Sequence, residues 1–130
     1  MWEDFGEYIA NLSDKKEVKI VEVAIGRYTG VYDYLNSKEN IEILKTDISP
    51  ADETVIFDDI TSPNLELYKD ADIIYSIRPP SELQPYLIKL YHKINAALII
   101  KPLFNEDLNI KPNIMKLKNY KKASFYIVEK

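Results

Sequence analysis

The chain has 130 residues, of which 46% are hydrophobic, and carries a formal net charge of -4. This length fits one domain spanning residues 1–130, and the absence of cysteine excludes disulfides and thiolate metal sites. No apolar run reaches the roughly 18 residues of a membrane span, and the negative charge gives no general basis for binding nucleic acid or an acidic membrane. Since the first residues also lack the pattern of a secretory signal, we expect a cytoplasmic protein.

The hydrophobic pattern predicts strands and helices in alternation. Apolar residues recur at helical spacing near the start, whereas two later segments are apolar almost throughout, as strands covered on both faces should be. In chain order, the predicted elements are a helix over 3–13, a strand over 18–25, a helix over 29–37, strands over 41–45 and 54–57, a short helical segment over 63–70, a strand over 72–77, a helix capped by Ser81 and ending near Asn95, a strand over 96–100, and a hairpin of strands 114–119 and 123–128.

This order of elements predicts an α/β fold. Strands joined by crossover connections are typical of a mostly parallel sheet with helices on both faces. We therefore expect a Rossmann-like, doubly wound sheet of about five parallel strands, followed by a C-terminal antiparallel hairpin.

The segment 19–30 indicates a binding site. It is a short apolar run, followed by a turn that carries Gly26 and Gly30 and then by a helix-like segment. A buried parallel strand that enters a helix through a glycine-bearing turn leaves backbone N–H groups pointing into a crevice, where they can hold an anion or a nucleoside. The sequence therefore predicts a small nucleoside-like ligand.

The strand ends supply candidate site residues, because ligands of doubly wound sheets bind beyond the carboxyl ends of the strands. Asp47 lies 21 positions after Gly26, close to the separation expected for an acid that accepts hydrogen bonds from ribose hydroxyls. The full set of residues predicted at these ends is Gly26, Arg27, Gly30, Asp47, Asp58, Asp59, Ser76, Arg78 and Lys101.

The two arginines predict an anion site. Arg27 and Arg78 are the only arginines among 17 basic residues, and both fall where neighbouring strands should end. A guanidinium offers a planar fork for a carboxylate or phosphate. One hypothesis is an anionic ligand group held between the two arginines, with help from Lys101. The alternative is that each arginine pairs with an acid of the rim, such as Asp33 or Glu82.

The first of these motifs resembles that of a known enzyme class. Glu22-Val-Ala-Ile-Gly26 is similar to the acid-x-Gly-x-Gly motif with which class I methyltransferases hold S-adenosylmethionine. The resemblance implies that Glu22, Ala24 and Gly26 lie beside the cofactor. It also implies that Asp47 binds the ribose and that Asp59, with the following backbone, faces the adenine.

The chain resembles uncharacterised protein family number 146 still more closely. The pattern of these small archaeal proteins occurs here as Val-Glu-Val-Ala-Ile-Gly-Arg-Tyr-Thr-Gly, Thr-Asp-Ile, Asp-Asp-Ile-Thr and Tyr-Ser-Ile-Arg-Pro-Pro, between about residues 18 and 104. The resemblance implies a Rossmann-like fold and brings no established activity.

Three residues depart from the methyltransferase pattern. Ala24 replaces its first glycine, and Tyr28 stands where the pattern often has another. We expect alanine to tolerate the turn only with a negative φ, and its methyl group narrows the approach of the backbone to a ligand. Arg78, before two prolines, replaces the Asn or Asp of amino-group methyltransferases. Because a guanidinium has no acceptor atom, that route of amine methylation is not expected.

Three functions remain open from the sequence. The first is a methyltransferase-like domain that binds S-adenosylmethionine or a related nucleoside. The second is a module that binds NAD, with Gly26 and Gly30 forming the phosphate turn and Asp47 selecting NAD over NADP. The third is a non-catalytic interaction protein, such as a homodimer, with a vestigial pocket. No metal site is predicted, and no catalytic residue is identified.

Overall fold

The computed structural model describes residues 2–102 and 114–129. Its seven strands form one sheet in the order β3-β2-β1-β4-β5-β7-β6. The strands are β1 Val18–Val23, β2 Ile41–Asp47, β3 Ile56–Phe57, β4 Ile73–Ile77, β5 Ala97–Lys101, β6 Lys116–Tyr120 and β7 Ala123–Val128, and the helices are α1 Trp2–Ala10, α2 Gly30–Asn36 and α3 Gln84–Lys93.

The predicted α/β fold is confirmed. Strands β1 to β5 pair in parallel, and β1 lies between β2 and β4, so the winding direction reverses at β1. The C-terminal hairpin of β6 and β7 joins β5 in antiparallel fashion. A two-residue turn joins β6 to β7, as antiparallel strands allow, whereas parallel strands need longer crossover connections.

The core has two layers, one on each face of the sheet. Helices α1 and α2 bury residues such as Phe5 and Leu35 against one face, and α3 buries Leu87 and Leu90 against the other. Alternate residues of β1 point to opposite faces, since successive side chains of a strand do so. All five positions of β4 and of β5 are buried, as predicted for strands covered on both sides.

Four predicted strand bounds were wrong by two residues. The first strand ends at Val23 rather than at residue 25, and the strand of the hairpin that was predicted from residue 114 begins at Lys116. Local contacts explain the other two. The second strand extends to Asp47 rather than ending at Lys45, because its last residues pair with β3. The third strand starts at Ile56 rather than at Thr54. The carboxylate of Asp52 accepts hydrogen bonds from the backbone N–H (2.8 Å) and the hydroxyl of Thr54, which keeps this residue in a turn.

The start of the fourth predicted helix was also wrong. Ser81 does not cap α3; it begins a short 3-10 turn, Ser81–Leu83, and the α-helix follows from Gln84. Pro85 lies in the first turn of α3, where its missing N–H costs nothing. Within the described ranges 2–102 and 114–129, no helix has the length and apolarity that crossing a membrane requires.

The C-terminal hairpin holds α1 in place. The carboxylate of Glu7 accepts a hydrogen bond from the Tyr120 hydroxyl and pairs with the ammonium of Lys121 at 2.5 Å. These contacts lie towards the same end of the sheet as the carboxyl end of β5, because β7 runs antiparallel to it. As a result, the first residue of α1, Trp2, lies beside the residues that follow β4 and β5.

Candidate functional site

A cavity of about 720 Å³ lies at the carboxyl ends of β1 to β4. Its volume falls within the range of small-molecule sites, about 300–1,000 Å³. The position is the topological switch point: the chain passes from β1 to β2 on one side of β1, and later returns from β3 to β4 on the other side. The lining residues are Val23, Ala24, Ile25, Gly26, Arg27, Tyr28, Asp47, Ile48, Asp58, Asp59, Ile60, Ile77, Arg78, Pro80 and Leu83.

Asp47 fastens the glycine turn to β2. Its Oδ2 accepts a hydrogen bond from the Gly26 N–H at 2.8 Å, and its Oδ1 accepts one from the Ser49 N–H at 2.8 Å. A carboxylate has about four acceptor positions. Asp47 therefore keeps acceptor capacity on the cavity side after holding the turn, which is the capacity that a pair of hydroxyl groups would use.

Three residues of the cavity wall have left-handed backbones. The φ angles are +56° at Ala24, +63° at Gly26 and +52° at Arg78. The expectation of a negative φ at Ala24 was therefore wrong: the turn imposes the conformation that the glycine of the methyltransferase motif would adopt freely, and alanine adopts it under strain. Non-glycine residues in this region cluster at functional sites.

Replacing Ala24 by glycine should relieve this strain. We expect the free energy of unfolding of the Ala24→Gly variant to rise by about 0.5–1 kcal/mol. The left-handed backbone costs alanine about 1–2 kcal/mol, and the larger conformational entropy that glycine loses on folding offsets part of the gain from removing that cost. Urea denaturation measures the change. The matched control is Ala10→Gly at the end of α1, where glycine loses stability. A loss at Ala24 as large as that at Ala10 would contradict the strain.

Asp58 has a structural task. It is buried, its Oδ1 accepts from the Asn64 N–H at 2.9 Å, and its Oδ2 accepts from the Tyr68 hydroxyl at 2.5 Å. The carboxylate of Asp59, a half-buried residue, accepts from the hydroxyl and N–H of Thr61, and these two bonds lower the pKa of Asp59. Within residues 2–102 and 114–129, no group of three or more acidic or imidazole side chains could hold a metal ion.

The walls around these polar groups are apolar. Ile48 follows Asp47 and is 59% exposed, which is unusual for a side chain of its size, and its exposed surface faces the cavity region. Ile60 lies in the same lining but is nearly buried. An exposed aliphatic side chain beside a concave site provides an apolar surface on which a planar ligand can pack.

Arg27 and Arg78 both line this cavity, and both are exposed. Neither takes part in any ion pair among the described residues. Asp33, one of the suggested partners, instead accepts a hydrogen bond from the Thr29 hydroxyl at 2.9 Å. The alternative that each arginine pairs with a rim acid therefore has no support within the described part of the chain.

Arg78 and Lys101 meet at the ring of Trp2. The Arg78 guanidinium carbon lies 5.5 Å from the ring centroid, and the Lys101 ammonium lies 5.9 Å from it. The Arg78 N–H also donates to the Lys101 carbonyl at 2.6 Å, so β4 and β5 hold the two cations side by side. Trp2 also packs on Tyr28, with ring centroids 5.1 Å apart.

Glu22 is buried and lies outside the cavity lining. It lies on β1 between Lys45 of β2 and Tyr75 of β4, and its Oε1 accepts from the Tyr75 hydroxyl at 2.5 Å. Its Oε2 is the one buried side-chain polar atom without a partner among the described residues. Burial raises the pKa of Glu22 to about 8, although Tyr75 and Lys45 act in the opposite direction.

Three further predicted residues, Gly30, Ser76 and Lys101, lie outside the lining, and the first two have local tasks. The hydroxyl of Ser76 is buried and donates to the Val23 carbonyl at 2.7 Å, which joins the ends of β4 and β1. Gly30 begins α2 and lies in a smaller groove with Trp2 and Tyr28. The Tyr28 side chain occupies the space that a Cβ on Gly30 would take, so a larger residue there would require this ring to move.

Sequence reasoning missed the aromatic part of the site. Tyr28 stands within the recognised turn, and its position was a usable signal. Trp2 had no such signal, because only the packing of α1 brings it to Arg78 and Lys101. Leu83 and Pro80 reach the cavity from the connection between β4 and α3.

Several known proteins are similar to this chain. A family model described as uncharacterised protein family (UPF0146) matches residues 2–130. A UPF0146 protein of Methanothermobacter thermautotrophicus is 41% identical over 126 residues, which covers 97% of this chain and 93% of the relative. Another, of Archaeoglobus fulgidus, is 36% identical over 116 residues and covers 86% and 85%.

Solved structures with a similar fold are methyltransferases. The antibiotic-resistance methyltransferase Kmr aligns with a TM-score of 0.58 at 11% identity, covering 99% of this chain and 93% of that one. A ribosomal RNA methyltransferase from Plasmodium falciparum aligns with a TM-score of 0.51 at 17% identity, covering 99% and 94%. Identities this low establish a shared fold, whereas the relatives above establish kinship: the chain belongs to the uncharacterised protein family UPF0146 and has a methyltransferase-like fold.

Proposed function

We propose that this protein binds S-adenosylmethionine, or a closely related nucleoside, in the cavity at the carboxyl ends of β1 to β4. The observation that carries the proposal is the joint position of the Gly26 turn and the Asp47 carboxylate on the wall of one cavity of about 720 Å³. An acid that holds a glycine turn and keeps free acceptor positions suits a ribose diol.

The surrounding residues support a nucleoside rather than a simple anion. The acids Asp47 and Asp59 line the β2 and β3 side, where hydroxyl and amino groups would find acceptors. Ile48 and Ile60 provide the apolar contact that a planar base needs. S-Adenosylmethionine would supply an activated methyl group, and the residues of this chain would bind and orient the molecule that carries it.

The NAD alternative draws less support from the cavity. It assigned Gly26 and Gly30 to a phosphate turn, but Gly30 belongs to the smaller groove, where the Tyr28 side chain covers it. Helix α2, which would receive the phosphate, has only seven residues. We therefore propose a ligand with one nucleoside unit rather than a dinucleotide, and NAD serves as the comparison ligand in the binding experiment.

Calorimetry tests the proposal. We expect S-adenosylhomocysteine and S-adenosylmethionine to bind with dissociation constants in the micromolar range and NAD to bind more weakly. A ligand present at about 100 times its dissociation constant should also raise the free energy of unfolding by about 2.7 kcal/mol, which thermal denaturation detects independently. If neither S-adenosyl compound gives heat or a thermal shift at high micromolar concentration, the proposal fails. A homodimer unaffected by any nucleotide would then favour the non-catalytic interaction protein.

A further inference from the structure

The carboxyl edge of the sheet is electrostatically divided at β1. The acids Asp47, Asp58 and Asp59 follow β2 and β3 on one side, whereas Arg78 and Lys101 follow β4 and end β5 on the other. A nucleoside on the acidic side would leave the cationic side uncovered. Arg78 lines the cavity itself, and Lys101, at the end of the neighbouring strand β5, lies beside it at the Trp2 ring.

Lys101 is the unusual member of this cationic side. Lys101 is only 4% exposed, and no carboxylate within the described ranges 2–102 and 114–129 forms an ion pair with its ammonium group. The charged side chain that shares its contact with the Trp2 ring is a second cation, Arg78. Buried charges are ordinarily paired, because leaving water without a partner is costly.

We propose that Arg78 and Lys101, which both lie beside the Trp2 ring, bind the anionic group of a second substrate, a small molecule that carries a phosphate or a carboxylate. This inference rests on the proposed nucleoside site, since Arg78 lines the same cavity. The two residues are adjacent on neighbouring strands and form no ion pair among the described residues, so one oxyanion can satisfy both cations, and a guanidinium with an ammonium suits either oxyanion.

The charge of the surroundings favours a small acid over a nucleic acid. The cationic side is confined to a few groups, Glu3 and Glu82 are nearby in sequence, and the whole chain has a net charge of -4. A polyanion requires a longer stripe of positive charge. Lowering of the Lys101 pKa by burial supports the same site, because an incoming anion would stabilise the charged form of that side chain.

The chain provides its own probe, because Trp2 is its only tryptophan. Intrinsic fluorescence should change saturably when phenyl phosphate or benzoate is added, and it should not change with phenol, which has the ring but no charge. The comparison of phenyl phosphate with benzoate decides which oxyanion the site prefers. A single-stranded oligonucleotide should bind no more tightly than phenyl phosphate; much tighter binding with a steep salt dependence would overturn the assignment to a small molecule.

Lys101→Met should weaken binding of the preferred anion at least 10-fold while the variant unfolds at an equal or higher temperature, since it removes a buried charge. Arg78→Gln should weaken binding of the anion by a similar factor. Because Arg78 is exposed, this variant provides the test if Lys101→Met does not fold. Lys89→Met is the matched control: Lys89 also lies over an aromatic ring, 4.9 Å from that of Tyr86, but on α3 at the opposite face of the sheet. Unchanged anion binding in both site variants would overturn the proposal.

Titration with and without S-adenosylhomocysteine separates this inference from the proposed function. We expect both ligands to bind together, and Lys101→Met to leave the nucleoside affinity within about twofold of wild type. Displacement of the anion by S-adenosylhomocysteine would overturn a second-substrate site. If phenyl phosphate binds and S-adenosylhomocysteine does not, the anion site stands and the proposed nucleoside function is the part that fails.

Discussion

The Asp47→Ala variant is expected to bind S-adenosylhomocysteine about 100-fold more weakly than wild type. Hydrogen bonds to a charged acceptor contribute about 1.5–3 kcal/mol each, and the loss of two bonds to a ribose diol therefore costs about 3 kcal/mol. The same change frees the Gly26 N–H, which Asp47 holds at 2.8 Å. The glycine turn should then become less well ordered, adding to the loss of affinity.

The design of this test separates binding from folding. Asp47→Asn keeps the shape of the side chain and one acceptor oxygen, so its loss of affinity should be smaller than that of the alanine variant. Asp52→Ala is the matched control, because Asp52 also caps a turn after β2 but lies outside the cavity lining. Calorimetry should find its affinity unchanged. An Asp47→Ala protein that is folded and binds as wild type does would remove Asp47 from the site.

The second large effect concerns Glu22 and the pH dependence of stability. Burial raises the pKa of this carboxyl from its ordinary 4.5 to about 8, so the folded protein retains a proton that the unfolded chain releases. The contribution of Glu22 to stability is therefore fully present below pH 4.5 and is lost as the pH rises through about 8. Across that window we expect a loss on the order of 3–5 kcal/mol.

Glu22→Gln removes this dependence while keeping the side-chain shape. Its amide oxygen still accepts the bond from Tyr75 that Glu22 Oε1 now receives at 2.5 Å. We expect urea denaturation to give similar stabilities for wild type and variant near pH 5, and a more stable variant near pH 9. Glu42→Gln is the control, because Glu42 is an exposed glutamate on the neighbouring strand. Curves for Glu22→Gln and wild type that stay parallel from pH 5 to pH 9 would contradict the raised pKa.

The Oε2 atom of Glu22 is buried and has no hydrogen-bond partner among the described residues. Lys45 and Asp33 act on the carboxyl in opposite directions, and neither donates a hydrogen bond to it. At neutral pH the carboxyl is therefore mainly in its neutral, protonated form.

The order of the elements was predictable because hydrophobic periodicity reports burial directly. The apolar runs at β4 and β5 indicated strands covered on both faces, and alternation with helical segments indicated parallel pairing. The chain position of Asp47 relative to Gly26 anticipated that the two would share one cavity wall. These features follow from local sequence, since each depends on residues close together or on a rule of strand order.

Tertiary contacts decided the rest. Asp58 was a candidate ligand from its position after a strand, but its burial and its bond to Tyr68 make it a structural acid. Ala24 takes a left-handed backbone, which alanine does not favour. The neighbours of Ala24 impose this conformation, because Val23 ends β1 before it and the Ile25 N–H after it donates to the Thr46 carbonyl of β2. A local pattern cannot report such constraints, which arise from segments far apart in the chain.

The amino-acid sequence by itself determined the α/β fold, the parallel sheet and the carboxyl-end location of the candidate site, because periodicity and strand order need no long-range information. Only the tertiary structure decided which polar residues line the cavity and which are buried and hydrogen-bonded in the core. It also brought Trp2 from the first helix to Arg78 and Lys101, since packing of α1 against the sheet and the hairpin sets that distance.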